Sequence, residues 1–266
     1  MALGCAIIAY NRPHYLKWLL HSLENQEQHP SVEYHLFLDG ARTTTDKVLV
    51  SKCKRLFELS TLNGTVHERK KNASIAVSQF EAKEYMSKYE YFIMAEDDIL
   101  LSKYALRTIN ILKSHIKGDA FSVGHNFKRR CKKSEIKDNL DKAFKHTRMH
   151  WWFELYKSEN WQKVKPHFVE YYDLVKDINY RHRNHRTIQQ FFRDNGFDEE
   201  RTSQDAGMDY ALHKAGMCRV STVVNRGMYL GKVGTHFREE LYDNYEFIKQ
   251  TPFLFKEDAN FTKFVI

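Results

Sequence analysis

The order of elements in this sequence predicts an α/β protein: three layers, α/β/α, with a mostly parallel central sheet. Strand-length apolar runs alternate with amphipathic helical stretches over the first 125 residues, which calls for right-handed crossovers between parallel strands. The run at 91–95, Tyr-Phe-Ile-Met-Ala, is continuously apolar and too short for a helix, so it suits a central strand covered on both faces. It drives straight into Glu96, Asp97 and Asp98. A buried strand that stops at three carboxylates places them at its carboxyl end, the edge where open α/β sheets bind ligands.

Each element follows from local pattern. Leu3–Ala9 is the first strand, and Asn11-Arg12-Pro13 turns it into a helix that Pro13 can start at its first position. Tyr15, Leu16, Leu19, Leu20 and Leu23 form that helix's apolar face. A second strand over 33–38 ends in Asp39-Gly40, and Thr45 or Asp46 can cap a helix whose buried face is Leu49, Cys53, Leu56 and Phe57. Gly64–Glu68 is a short third strand. Arg69-Lys70-Lys71-Asn72 then leads into a helix carrying Ala73, Ala76, Val77 and Phe80. After the acids, Leu101, Ala105, Ile109, Leu112 and Ile116 mark another helix, and Ala120–Gly124 another strand. No G-x-G-x-x-G follows the first strand and no Walker loop is present, so neither an ordinary dinucleotide site nor a P-loop fits.

Beyond Asn126 the pattern loosens. Residues 128–150 read as a charged loop with one helix at 136–145. His150-Trp151-Trp152-Phe153-Glu154-Leu155-Tyr156 is the densest aromatic cluster, either a buried strand or a stacking platform for sugar rings. A helix is expected at 187–194 inside the basic stretch 177–198. Another, capped by Ser203 and ended by Gly216, runs through Met208, Leu212 and Ala215. A strand at 218–224 and a glycine-rich connection holding Gly227, Gly231 and Gly234 follow. The chain reads as a single domain over 1–266 whose first 125 residues form a nucleotide-binding half.

Charge narrows the partners. The net charge of +8 comes from 42 basic and 34 acidic residues, concentrated at 128–133 and 181–186, so anionic partners are expected. Cys5, Cys53, Cys131 and Cys218 have no C-x-x-C spacing and read as reduced structural thiols. The opening residues lack a basic leader and turn polar at Asn11. A strand is therefore expected there rather than a signal peptide, and a cytoplasmic location, with peripheral membrane contact open to the basic runs. The acid triplet itself has two readings. Its hard oxygens suit Mg2+ or Mn2+ bridging to a phosphate, or it is a solvated acidic turn before a helix capped by Ser102.

Four motifs in order resemble those of inverting glycosyltransferases of the GT-A, Rossmann-like fold, over most of the chain. They are the Ile-Ile-Ala-Tyr-Asn-Arg-Pro strand-to-helix start, a strand ending in Asp39, the triplet in the place of a D-x-D motif, and the run from Gln204 to Gly216. The triplet and the Asn-Arg and glycines after Val224 look more like the N-acetylglucosaminyltransferase I group. The resemblance implies a nucleotide-sugar donor, expected to be a UDP-sugar, a glycan or glycoconjugate acceptor, and Mn2+ or Mg2+ as cofactor, with no nucleic acid. It implies Asp98 and His236 on the metal and Asp205 as catalytic base with Asp209 as its substitute. Ala9, Tyr10, Asn11, Arg12, Asp39, Arg69, Asn72, Glu96 and Asp97 would lie around the nucleotide sugar, and Trp151 and Trp152 at the acceptor. Gln204 departs from the usual glutamate, and His213 or Lys214 stands for the usual arginine. A sugar-1-phosphate nucleotidyltransferase would need a glycine-rich, lysine-containing loop after the first strand, which Asn-Arg-Pro-His is not. A basic nucleic-acid-binding protein would leave the triplet unexplained.

Overall fold

The computed structural model describes residues 3–125, 131–148, 153–233, 239–244 and 261–266. Its elements in chain order are β1 (Leu3–Ala9), α1 (Pro13–Glu24), β2 (Val32–Leu38), α2 (Thr44–Glu58), β3 (Gly64–Glu68), α3 (Ile75–Met86) and β4 (Tyr91–Glu96). Then come β5 (Ile99–Leu101), α4 (Ala105–Leu112), β6 (Ala120–Gly124), β7 (Ala143–His146), β8 (Phe153–Lys157), α5 (Ser158–Val175) and α6 (His185–Asp194). Last are α7 (Gln204–Ala215), β9 (Cys218–Thr222), β10 (Gly227–Tyr229) and α8 (Glu239–Asn244).

Eight strands form one sheet in the order β3-β2-β1-β4-β8-β6-β9-β7. β1, β2, β3 and β4 run parallel, as do β6 and β9, while β8 is inserted antiparallel between β4 and β6 and β7 closes the edge antiparallel to β9. β1 therefore has β2 on one side and β4 on the other, and the chain reverses its direction of growth across the sheet there. Such a switch point leaves a crevice outside the carboxyl ends of the two strands. Register fixes what meets in it: Ile8 pairs with Glu96 and Ala9 with Leu38.

Side chains alternate across the strands, as period-two geometry requires. Cys5, Ile7, Leu36 and Ile93 face a core shared with Leu16, Leu19, Cys53, Phe57 and Ile109, whereas Ala6, Ile8, Phe92 and Met94 face Ala76, Trp161, Phe168 and Met208. The three predicted layers are present.

Several expectations are corrected. Thr43, not Thr45 or Asp46, caps α2: its hydroxyl accepts from Asp46 N while Asp46 reaches back to Thr43 N, a capping box. Leu101 belongs to β5, which pairs antiparallel with β10, and the predicted helix begins only at Ala105. The helix expected at 136–145 is replaced by a 3-10 turn over Lys137–Asn139 and by β7, because pairing with β9 outweighs weak local periodicity. The strand expected at 218–224 ends at Thr222. α5 was not among the expected elements, although Trp161, Val164, Phe168, Tyr171 and Val175 are all buried at helical spacing. Pro166 interrupts that pattern but lies on the exposed face, where water can meet the carbonyl its ring frees. Of the 150–156 cluster, residues 153–156 lie in β8, with Phe153, Leu155 and Tyr156 buried; His150, Trp151 and Trp152 lie outside the described residues.

Candidate functional site

Register brings the ends of β1 and β4 together, and Arg12 meets the triplet there. Its guanidinium donates from NH1 to Asp98 Oδ2 at 2.6 Å, from Nε to Asp97 Oδ2 at 3.4 Å, and from NH2 to Asp97 Oδ1. Both aspartates are buried, while about a quarter (26%) of the arginine side chain is exposed. Burial pushes the Asp97 carboxyl up to about 6 against the pull of Arg12. Glu96 is raised well above the usual carboxylate range, first by burial and then by the negative charges of Asp98 and Asp205. Gln79 on α3 donates to Glu96 Oε1 at 3.2 Å and accepts from Lys83 Nζ at 2.9 Å. Asp98 Oδ1 is buried and, among the described residues, has no hydrogen-bond partner.

The described part of the glycine-rich connection, residues 227–233, folds over these acids. Leu230 N donates to Asp98 O at 2.8 Å, and Val233 N to the Tyr15 hydroxyl at 3.0 Å. A Cβ on Gly231 would stand 2.4 Å from both Asp98 Oδ2 and the Tyr229 hydroxyl, so only glycine lets the strap come this close. Tyr242 donates to Tyr229 O at 2.7 Å and holds the strap from behind. His236 lies outside the described residues, and among them no three His, Cys, Asp or Glu side chains are grouped as metal ligands. The residues present still fit a hard divalent ion, because the orphaned Asp98 oxygen is buried among carboxylates, the donor type such ions prefer.

At the ends of β1 and β2 a second set of side chains is locked together. Asp39 accepts from Gly40 N and Ala73 N on one oxygen, and from Asn72 Nδ2 and Ser74 N on the other. It fixes the turn before α3 with both oxygens, and burial raises its carboxyl. Asn11 donates to Asp46 at 2.6 Å, Arg42 N donates to the Tyr10 hydroxyl at 3.3 Å, and Arg42 Nε donates to Asn72 Oδ1 at 2.9 Å. The Tyr10 hydroxyl is pushed up to about 12 by burial and by Asp46. Ala9 is buried at the last position of β1. Arg69 turns instead to Glu81 on α3 and lines a cavity of about 370 Å³ with Phe37, His67 and Tyr85, which none of the three acids reaches.

α7 carries the remaining acids. Ser203 caps it, Gly216 ends it with φ at +64°, and Asp205 sits buried in its first turn. The charge of Asp205 bears on Glu96, Lys83, Tyr156 and Tyr171, so it belongs with the triplet and not to a remote surface. Asp209, one turn on, is fully buried between two guanidiniums, Arg219 NH1 at 2.7 Å and Arg201 NH2 at 2.8 Å. Arg219 Nε also lies 3.4 Å from Glu154 on β8, and Arg201 is held by Glu199. Lys83, fully buried below Tyr156 and Trp161, has its ammonium lowered to about 7 by burial and by Arg219. Sequence reasoning missed Gln79, Lys83, Glu154, Arg201, Arg219 and Tyr229. Only Gln79 and Lys83 left a local signal, polar residues four apart on an otherwise apolar helix face.

No protein-family model matches the chain, and no curated protein does. Among solved structures, residues 1–349 of TarS from S. aureus superpose with a TM-score of 0.46 at 14% identity, covering 84% of this chain and 57% of that one. The mannosyltransferase PcManGT from Pyrobaculum calidifontis, in complex with GDP-Man and Mn2+, gives 0.46 at 13% identity over 80% of this chain and 70% of that one. The same TarS fragment with UDP-GlcNAc gives 0.41 at 16% identity over 66% and 51%. This chain thus spans little more than half of the TarS fragment. Likeness at this level assigns the chain no ligand and no activity. Among the described residues no helix is long and apolar enough to cross a membrane.

Proposed function

We propose that this chain is a metal-dependent inverting glycosyltransferase. It would move a sugar from a nucleotide-sugar donor, a UDP-sugar, to a hydroxyl of a glycan or glycoconjugate. The observation that carries the reading is the buried oxygen of Asp98 that has no partner among the described residues in the switch-point crevice, with the charge of Asp205, from the other half of the chain, felt at Glu96 beside it.

The chemistry asks for two carboxylate roles on opposite sides of the reacting carbon. A divalent ion, when bound, would neutralise charge growing on the departing diphosphate. Asp98 would hold it, with Asp97 and Glu96 beside it and His236 as a further ligand. Asp205 would take the proton of the attacking hydroxyl. It is preferred to Asp209, whose two oxygens are both engaged by guanidiniums. Tyr10 offers its half-exposed ring to the base, Asn11 and Asn72 frame that wall, and Asp39 acts through the turn it fixes. Arg69 would stand at the edge of that subsite, Trp151 and Trp152 at the acceptor. The strap over Asp98 would exclude water and so protect the donor from hydrolysis.

Titrating UDP with and without Mn2+, for the natural chain and for Asp98→Ala, tests the reading. Binding should need the ion and be lost in the variant; UDP binding indifferent to both would refute it.

A further inference from the structure

Arg12 and a divalent cation make the same demand on Asp97 and Asp98. Of the four carboxylate oxygens in that pair, three accept from the Arg12 guanidinium, and Asp98 Oδ1 alone has no hydrogen bond among the described residues. Both acids are about 1% exposed, so water cannot neutralise them when the guanidinium leaves. Mg2+ and Mn2+ take about six oxygens at short range, and one unclaimed oxygen is not a site. An ion that engages Asp98 Oδ2 or either oxygen of Asp97 comes up against the positive guanidinium already lying on those oxygens, so the two compete for the pair.

Among the described residues nothing else holds the Arg12 side chain by a hydrogen bond or ion pair. It precedes Pro13 at the start of α1, makes no side-chain capping bond there, keeps its 26% exposure and has the Tyr15 ring 5.5 Å away. A guanidinium fork fits phosphate oxygens as it fits carboxylates.

We propose that Arg12 is a diphosphate-binding residue that waits on the cation site. The acid pair holds either the guanidinium or the ion, and the nucleoside diphosphate that arrives with the ion receives the displaced arginine. This rests on the reading of Asp98 as cation ligand. It makes the ion alone a poor ligand and couples the ion to the nucleotide, each raising the affinity of the other by the same factor.

Mn2+ binding, followed by loss of the free-ion paramagnetic resonance signal, tests this on the natural chain, Arg12→Gln and Asp98→Asn, with and without UDP. Arg12→Gln should bind Mn2+ alone about tenfold more tightly than the natural chain, about 1.4 kcal/mol. UDP should raise the Mn2+ affinity of the natural chain by a larger factor than that of Arg12→Gln. Mn2+ alone should raise the unfolding temperature of Arg12→Gln and leave that of the natural chain nearly unmoved. Should the glutamine variant not fold, Arg12→Lys, which keeps the charge but cannot bridge both acids, should bind Mn2+ more tightly than arginine does. If the Arg12 variants bind Mn2+ no better than the natural chain while Asp98→Asn still loses it, the Arg12 proposal fails and the cation site stands. If Asp98→Asn changes nothing, or no chain binds Mn2+, both fail.

Discussion

Two groups of acids among the described residues, one behind α7 and one at the end of β4, differ in how their oxygens are satisfied. Behind α7, Asp209 has a guanidinium on each oxygen and Glu154 has Arg219, Tyr156 and Ser122. At the end of β4, three consecutive carboxylates share Arg12 and Gln79, and one Asp98 oxygen has no partner. Unpaired buried charge costs several kcal/mol, so the first group is arranged to hold the fold together. The second is under-neutralised, as a site awaiting a cation would be.

The largest expected effect bears on Asp205, the acid that α7 brings to the triplet. Asp205→Asn should lower turnover by about 10²- to 10⁴-fold while UDP and Mn2+ affinities stay within about twofold, since a general base contributes that much. Steady-state kinetics beside a binding titration check it, and lost affinity instead would move Asp205 into the donor site. Next comes Arg219→Met, which leaves Asp209 and Glu154 with one guanidinium fewer. Urea unfolding should show a loss of about 3–5 kcal/mol, with metal-dependent UDP binding intact in the folded fraction; a stable variant that loses binding would erase the distinction between the two groups.

The smallest effect concerns a buried histidine, His35, whose Nε2 also lies 3.4 Å from the Glu33 carboxylate and which feels the charge of Lys88. His35 lies between His67 Nε2 at 3.1 Å and the Tyr89 hydroxyl at 2.8 Å, and burial lowers it to about 4. The unfolded chain takes up this proton near pH 6.5 and the folded chain only near 4, so below about 6.5 the unfolded state binds more protons. Stability should fall with pH across that window and level off beneath it. Denaturant midpoints measured from pH 7.5 to 4 should show a smaller fall in His35→Asn than in the natural chain.

Much of the fold could be read from sequence because it is set locally. β1, β3 and β6 have the expected bounds, and α7 begins after Ser203 and ends at Gly216 as its capping residues require. α5 escaped because Pro166 breaks its pattern, and β7 and the β5–β10 ribbon because their partners lie far along the chain. The candidate site divides the same way. The acids could be found because an apolar run ends on them. The guanidiniums that neutralise Asp209 come from Arg201 and Arg219, neither of which carries a local mark of that role.

By itself, the sequence determined the alternation of strands and helices and the place where a buried strand meets charge, since burial periodicity and capping act over a few residues. Only the tertiary structure decided which acids are neutralised and which are left open. Neutralisation depends on which cation the packed sheet brings within about 3 Å. Pairing Ile8 with Glu96 is what puts Arg12 against Asp97 and Asp98.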